Sequence, residues 1–315
     1  MMIPVEWLTQ AAERIAPHIH NTPLSYDSQN DLYLKWENHQ ITGSFKARGA
    51  LNKVLSLQDW ERQRGLVTAS AGNHGQGVAF AGRLSGTQVI VFASEHATPS
   101  KLDAMRSLGA EVRLVPGGYG EAEQAGLQYA ARSGGTWVSA YNDGQVIAGQ
   151  GTLGLEILEQ WKDIRLPTWV VPAGGGGLVA GIGAAIRLVS SGGAKLVAVS
   201  SDASPFLHSL YYTGSQEGIV ESPSLADGLA GPVEPGSITI PLAQKYIDEF
   251  VLVTEDEIRN AVAYAWECYK ERIEGSAATA LAALLYGKIT ARPAIVVLTG
   301  GNIQPEVHAR IIQHE

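Results

Sequence analysis

Thr168-Trp-Val-Val-Pro-Ala-Gly174-Gly-Gly-Gly177-Leu178-Val-Ala-Gly-Ile182 is the stretch from which the fold can be read. An apolar β-branched run gives a strand, four consecutive glycines follow, and Leu178-Val-Ala then opens a helix. Consecutive glycines let backbone N–H groups turn toward one point, and a helix N-terminus adds its positive dipole end there. The result is a phosphate cradle. No Lys-Ser/Thr pair follows the glycines, so the loop is not built for a nucleoside triphosphate. A plain tight turn would need one or two glycines, not four.

Working outward, the same strand–loop–helix rhythm recurs. Gly65–Ala69 precedes a helix at Asn73–Leu84, Gln88–Phe92 one at Pro99–Leu108, and Glu111–Val115 one at Tyr119–Arg132. Repeated units of this length predict an α/β chain with parallel sheets covered on both faces. Before them come an amphipathic helix from Pro4 to Pro17, a turn at Asn21–Pro23 and a strand at Leu32–Trp36; a helix then starts near Gly43-Ser44 and runs on through Trp60. After them the pattern predicts a helix from Gln145 to Trp161, the glycine loop with its helix to about Val189, a strand at Lys195–Val199 and a helix at Ser204–Thr213. Residues 214–236 read as irregular. Phe250–Val253 reads as a strand, and Thr254-Glu-Asp-Glu257 has the spacing of a capping box. Helices at 255–272 and 276–286 and a strand at Ala294–Leu298 complete the pattern. The order implies a chain that enters one lobe, leaves for the other and returns: residues 44–146 form a small lobe, 1–43 and 147–315 a large one.

The totals exclude several classes. At 315 residues, 45% apolar and 17% charged, the composition is that of a globular chain long enough for two lobes with real cores. A net charge of −8 without a basic run argues against nucleic acid. No apolar stretch reaches membrane-spanning length and the N-terminus has no apolar leader, so the expectation is a cytoplasmic protein. Cys268 is the single cysteine, which leaves no internal disulfide, and the expectation is that it packs within its helix. The eight histidines lack metal-site spacing, so no metal centre is expected.

A second stretch, Lys35-Trp-Glu-Asn-His-Gln-Ile-Thr-Gly-Ser-Phe-Lys46, supplies a candidate nucleophile. Lys46 sits at a helix start beside Phe45, with no acidic residue nearer in sequence than Glu37. A lysine is ordinarily a solvated surface charge. In an apolar pocket near other positive groups its pKa falls and the free amine can form Schiff bases. A buried amine together with a phosphate cradle points to pyridoxal 5′-phosphate (PLP), which needs both.

Five motifs stand in order: Gly43-Ser-Phe-Lys-Ala-Arg-Gly-Ala50, Ser70-Ala-Gly-Asn-His-Gly-Gln-Gly77, Ala148-Gly-Gln-Gly-Thr152, Gly174-Gly-Gly-Gly177 and Thr299-Gly-Gly-Asn302. Together they resemble the threonine/serine dehydratase family of fold-type II PLP enzymes, to which serine racemase also belongs, over about residues 4 to 304. The resemblance implies two helix-covered, mostly parallel open sheets of the tryptophan synthase β kind, with the 44–146 lobe mobile and substrate-binding, and a homodimer. It implies that Lys46 carries the cofactor and moves the substrate α-proton, that Phe45 packs on the cofactor ring, and that Gly174, Gly175, Gly176 and Gly177 hold its phosphate. Ser70, Ala71, Gly72, Asn73 and His74 become the substrate-carboxylate loop, with Asn73 also bonding the cofactor phenolic oxygen. Thr299 falls where the family places serine or cysteine against the pyridine nitrogen; a hydroxyl there makes a weak electron sink and favours quick loss of a β-leaving group. Glu274 matches a family glutamate near the cofactor, and either caps the following helix or lines the site. Asp227, in Leu225-Ala-Asp-Gly228, would brace the pocket.

Two departures bear on the activity. Racemases of the family carry a serine as the proton donor where this chain has Ala71, which has no proton to give. The family's divalent-cation carboxylates are replaced by Ser200 and Phe206, leaving only Asp202 nearby. The expected reaction is therefore β-elimination from L-threonine, L-serine or a bulkier β-hydroxy amino acid, giving a 2-oxo acid and ammonia. A serine- or aspartate-type racemase and a β-replacement synthase are the alternatives on the same fold. Gly175-Gly-Gly177-Leu-Val-Ala180 also imitates a dinucleotide fingerprint, making an NAD-dependent dehydrogenase a distant alternative. A non-catalytic relative would have lost the lysine or the glycine loop. The short run after Asn302 implies no C-terminal regulatory domain.

Overall fold

The computed structural model describes residues 2–189 and 194–313. In chain order the elements are α1 (Val5–Ile15), β1 (Leu24–Asp27), β2 (Leu32–Trp36), α2 (Lys46–Ser56), α3 (Asp59–Gln63), β3 (Leu66–Ala69), α4 (Asn73–Ser85), β4 (Val89–Ser94), α5 (Pro99–Ser107), β5 (Glu111–Val115), α6 (Tyr119–Ser133) and β6 (Thr136–Trp137). There follow α7 (Gly144–Gln160), β7 (Thr168–Pro172), α8 (Gly177–Val189), β8 (Lys195–Ser201), α9 (Phe206–Thr213), α10 (Thr239–Tyr246), β9 (Glu249–Val253), α11 (Glu255–Tyr269), α12 (Gly275–Leu285), β10 (Ala294–Leu298) and α13 (Pro305–Ile312).

The strands make two sheets, ordered β1-β2-β10-β7-β8-β9 and β5-β4-β3-β6. Every pairing is parallel except β1 with β2. In the larger sheet successive residues serve opposite cores. Trp169 and Val171 of β7, with Ile295 and Val297 of β10, pack toward α7, α8 and α10. Val170, Ala294, Val296 and Leu298 pack toward α11 and α12. All of these side chains are buried, which is why the strands read as continuous apolar runs rather than alternating ones.

Some expectations need correcting. The helix beginning at Lys46 does not run to Trp60: Leu57 is extended, and Gln58 opens α3 with a reciprocal cap to Glu61. α1 ends at Ile15, and Pro17 lies in a single 3₁₀ turn, Ala16–His18. The irregular tract holds one 3₁₀ turn, Asp227–Leu229. Cys268 lies on α11 but is exposed, with Trp266 and Glu267, where the last turn leaves the core. β1, β6, α10 and α13 had no sequence signal: two are very short or at an edge, and prolines stand in α10 and at the start of α13. The capping box at Thr254 forms as read, Thr254 N–H donating to Glu257 at 2.8 Å and Glu257 N–H to Thr254 Oγ1 at 3.3 Å.

Candidate active site

Three of the motif loops leave the C-terminal ends of parallel strands β3, β7 and β10, where ligands of open α/β sheets gather. The glycine loop follows β7. A Cβ on Gly174 would lie 2.8 Å from the Leu229 backbone, one on Gly175 2.4 Å from the Tyr141 ring, and one on Gly177 3.0 Å from Tyr141 Cα. Gly176 has φ +87°, a conformation that disfavours any side chain. Each glycine thus has its own reason. Among the described residues the N–H groups of Gly174, Gly175 and Gly176 donate to no backbone or side-chain acceptor, and α8 begins directly after them. Unpaired donors at a helix start are an anion seat.

Lys46 opens α2, and the residues before it are sewn to the loop after β10. Phe45 N–H donates to Thr299 O at 3.0 Å, Gly301 N–H to Gly43 O at 3.0 Å, and Ser44 bridges Gly300. The Lys46 ammonium donates to Ala140 O at 3.1 Å and lies 5.3 Å from the Phe45 ring centre. Burial pushes its pKa down to about 8, against the pull of the Glu274 carboxylate. The expected positive neighbours are not the cause: desolvation does the work, and the charge acting on Lys46 is negative.

Glu274 precedes α12 but makes no side-chain cap. Its carboxylate instead accepts from Asn73 Nδ2 at 2.7 Å, so of the two roles open in the sequence the structure places it facing Asn73 and Lys46. Burial raises it to about 7, helped by the Asp227 charge and opposed by Lys101. Asn302 Nδ2 donates to Asn73 Oδ1 at 2.7 Å and to Thr42 O at 2.8 Å, fixing the Asn73 amide and leaving one of its N–H groups free for a ligand.

In the Ser70–His74 loop, Ser70 Oγ accepts from Gly72 N–H at 3.0 Å, and Ala71 N–H has no partner among the described residues. His74 Nε2 lies 3.0 Å from Val138 O, and a carbonyl can only accept, so that nitrogen carries the proton. Burial, then the Lys46 charge, lowers His74 to about 3, keeping it neutral. Thr299 is buried at the end of β10, and its hydroxyl has no partner among the described residues. Asp202 is exposed beyond β8 and caps no helix, since α9 opens after Pro205.

Sequence reasoning missed Tyr141, whose ring covers Gly175, and Lys101, which pairs with Asp227 at 2.5 Å across the mouth. No local pattern marks either: each reaches the site only through tertiary packing.

The sequence pattern of the family described as "Pyridoxal-phosphate dependent enzyme" matches residues 13–300. The chain belongs to that family. An L-threonine ammonia-lyase of Thermotoga maritima is 39% identical, over 99% of this chain and 78% of its own length. The solved serine racemase of Dictyostelium discoideum superposes with TM-score 0.87 at 33% identity, covering 96% of this chain and 99% of that one. The processed form of threonine deaminase isoform 2 from Solanum lycopersicum superposes with TM-score 0.87 at 28% identity, covering 98% and 94%. Membership makes PLP the cofactor and sets the dinucleotide reading aside. The residues fit it: a seat of unpaired N–H groups that no side chain could enter, and a lysine amine of lowered pKa.

Proposed function

We propose that this PLP-dependent enzyme is an ammonia-lyase that converts L-threonine or L-serine to a 2-oxo acid and ammonia. Water lost from the β-carbon is regained on release of ammonia, so the reaction needs no oxidant or reductant. The observation that carries the reading is the pairing of Lys46, a buried amine of lowered pKa, with Ala71 in the facing loop. One group can take the α-proton, and Ala71, where a racemase of the family carries its serine, has none to return from the other side. The relatives named for threonine ammonia-lyase and deaminase point the same way.

When bound, PLP supplies an aldehyde that condenses with an amino group and a conjugated ring that takes up the Cα–H electron pair. The protein's own groups do the rest. The Gly174–Gly177 N–H groups would hold the cofactor's phosphate. Lys46 Nζ would hold the cofactor and, once the substrate amine displaces it, would be the base placed to accept the α-proton. Asn73 and Glu274 would orient the cofactor ring, Thr299 Oγ1 would serve its pyridine nitrogen, and the unpaired Ala71 N–H with the Ser70 hydroxyl would bind the substrate carboxylate. Phe45 walls the pocket, and neutral His74 holds α4 to Val138.

Purified, PLP-loaded protein given L-threonine or L-serine should form 2-oxobutanoate or pyruvate with equimolar ammonia. Appearance of the D-amino acid without oxo acid would overturn the reading in favour of racemisation.

We further infer that residues 44–146 move as a small substrate-binding domain against 1–43 with 147–315. The small sheet, with α2 and α4–α6, comes wholly from the former, and the six-stranded sheet from the latter. By family analogy we place the enzyme in the cytoplasm as a homodimer, to be checked by fractionation and sedimentation at micromolar concentration; no described helix is long and apolar enough to cross a membrane.

A further inference from the structure

Lys101, on α5, and Asp227, in the 3₁₀ turn opposite, meet across the mouth of the site. The lysine side chain is largely buried while the aspartate is 60% exposed, so the ammonium belongs to the site and the carboxylate reaches in from outside. The pair divides two recesses. One is lined by Ala71, Ser94 and Thr98, the other by Glu274 and Asn302. A Cβ built on Gly72 would lie 3.7 Å from Lys101 Cδ and 3.9 Å from its Nζ. The ammonium therefore stands beside the backbone that the proposed function assigns to the substrate carboxylate. Both members of the pair also act on Glu274, in opposite senses.

We propose that Lys101 is a substrate-binding residue that grips the α-carboxylate of the amino acid, and that Asp227 occupies it until a carboxylate arrives at Ala71–Gly72. This rests on the lyase reading for the position of the substrate. An ammonium offers three donors and no acceptor, so it must face an anion or water. The carboxylate of Asp227 is the same chemical group as the ligand's, held among the described residues by a single charged partner and mostly solvated. Exchanging one for the other leaves the lysine paired throughout. Uncompensated, a positive charge at this depth would act on Glu274 and, through it, on Lys46. Asp227 thus competes with substrate, and the two partners of one ion pair have opposite effects on binding.

That opposition is the test. PLP-loaded wild type, Lys101→Met, Lys101→Arg and Asp227→Asn are titrated with L-threonine and with L-threoninamide, which lacks the carboxylate. Binding is followed by the visible absorption of the bound cofactor, and 2-oxobutanoate is measured in parallel. Lys101→Met should raise the KM for threonine tenfold or more and leave threoninamide binding unchanged, Lys101→Arg should recover most of the loss, and Asp227→Asn should lower KM severalfold. A latch serving only to close the mouth would make Lys101→Met and Asp227→Asn weaken threonine binding alike, and that result overturns the proposal. So does equal loss of threoninamide binding in Lys101→Met. If Lys101→Met fails to load cofactor, Lys101→Gln is read in its place. Wild type that binds threonine with Lys101-dependent preference over threoninamide, yet forms no oxo acid, sinks the lyase reading and sustains this one.

Discussion

At the scale of single residues the chemistry turns on burial. Glu274 is almost wholly inside the protein, and its carboxyl is raised to about 7 chiefly by desolvation. A group protonated more readily folded than unfolded stabilises the fold at pH below its unfolded pKa, near 4.5, and loses that contribution as pH rises through about 7. The stability of the cofactor-free protein relative to Glu274→Gln should therefore fall by about 3 kcal/mol between pH 4.5 and 7.5, measured by urea unfolding. A constant difference would mean that the carboxylate is ionised throughout. Gly175→Ala should cost cofactor affinity at least tenfold, read by equilibrium dialysis of PLP, because its methyl would meet the Tyr141 ring at 2.4 Å. Lys46 and the glycines were legible in the sequence because their chemistry is contiguous. Lys101 and Tyr141 were not, since nothing local distinguishes a cleft lysine from a surface one. Glu274 stayed open for a different reason: the residue before a helix serves a cap and a site equally well until its rotamer is seen.

Among the elements, α2, α7 and β2 meet through charges rather than apolar packing alone. Arg48 donates to both Glu37 oxygens, at 2.7 and 2.8 Å, and to Glu156 at 2.9 Å. Lys35 donates to Glu156 at 2.5 Å, Gln160 at 2.8 Å and Thr22 O at 2.7 Å. Two cations and two anions balance, and Arg48 follows Lys46 within the same first turn of α2, so the network fixes the helix start that carries the amine. Glu37→Gln leaves Arg48 half paired in the interior and should cost about 3–5 kcal/mol in urea unfolding. α7 also crosses α8 closely enough that a Cβ on Gly181 would lie 2.5 Å from Ile147 O and 2.6 Å from Gly151 N. Helices and strands with strong periodicity were readable in advance. What failed were boundaries set by a turn of backbone, as at Leu57, and elements such as β6 that exist only because a neighbouring strand pairs with them.

Across the whole molecule, the contacts that cross the mouth are polar and few. Besides Lys101–Asp227, Gln304 Nε2 donates to Thr98 Oγ1 at 2.8 Å, and the Asn73–Glu274 and Asn73–Asn302 bonds lie deeper. Salt screens a pair as exposed as the first. Raising ionic strength to about 0.5 M should speed hydrogen exchange of α5 amides severalfold and leave α7, buried along most of its length, unchanged. Equal protection of both would show that the cleft does not open in this way. The larger sheet has a further property. Its centre is β10, parallel to β2 on one side and β7 on the other, although those two leave the ribosome long before it. While β10 is still being translated, both facing edges stay unpaired and the apolar runs on either side lie open to solvent. The small sheet, contiguous from Leu66 to Trp137, carries no such delay. The nascent chain thus holds an early-folding segment inside a late-closing one, and a stall during the last stretch of synthesis would expose it to chaperones, proteases and edge-to-edge aggregation for as long as the stall lasts.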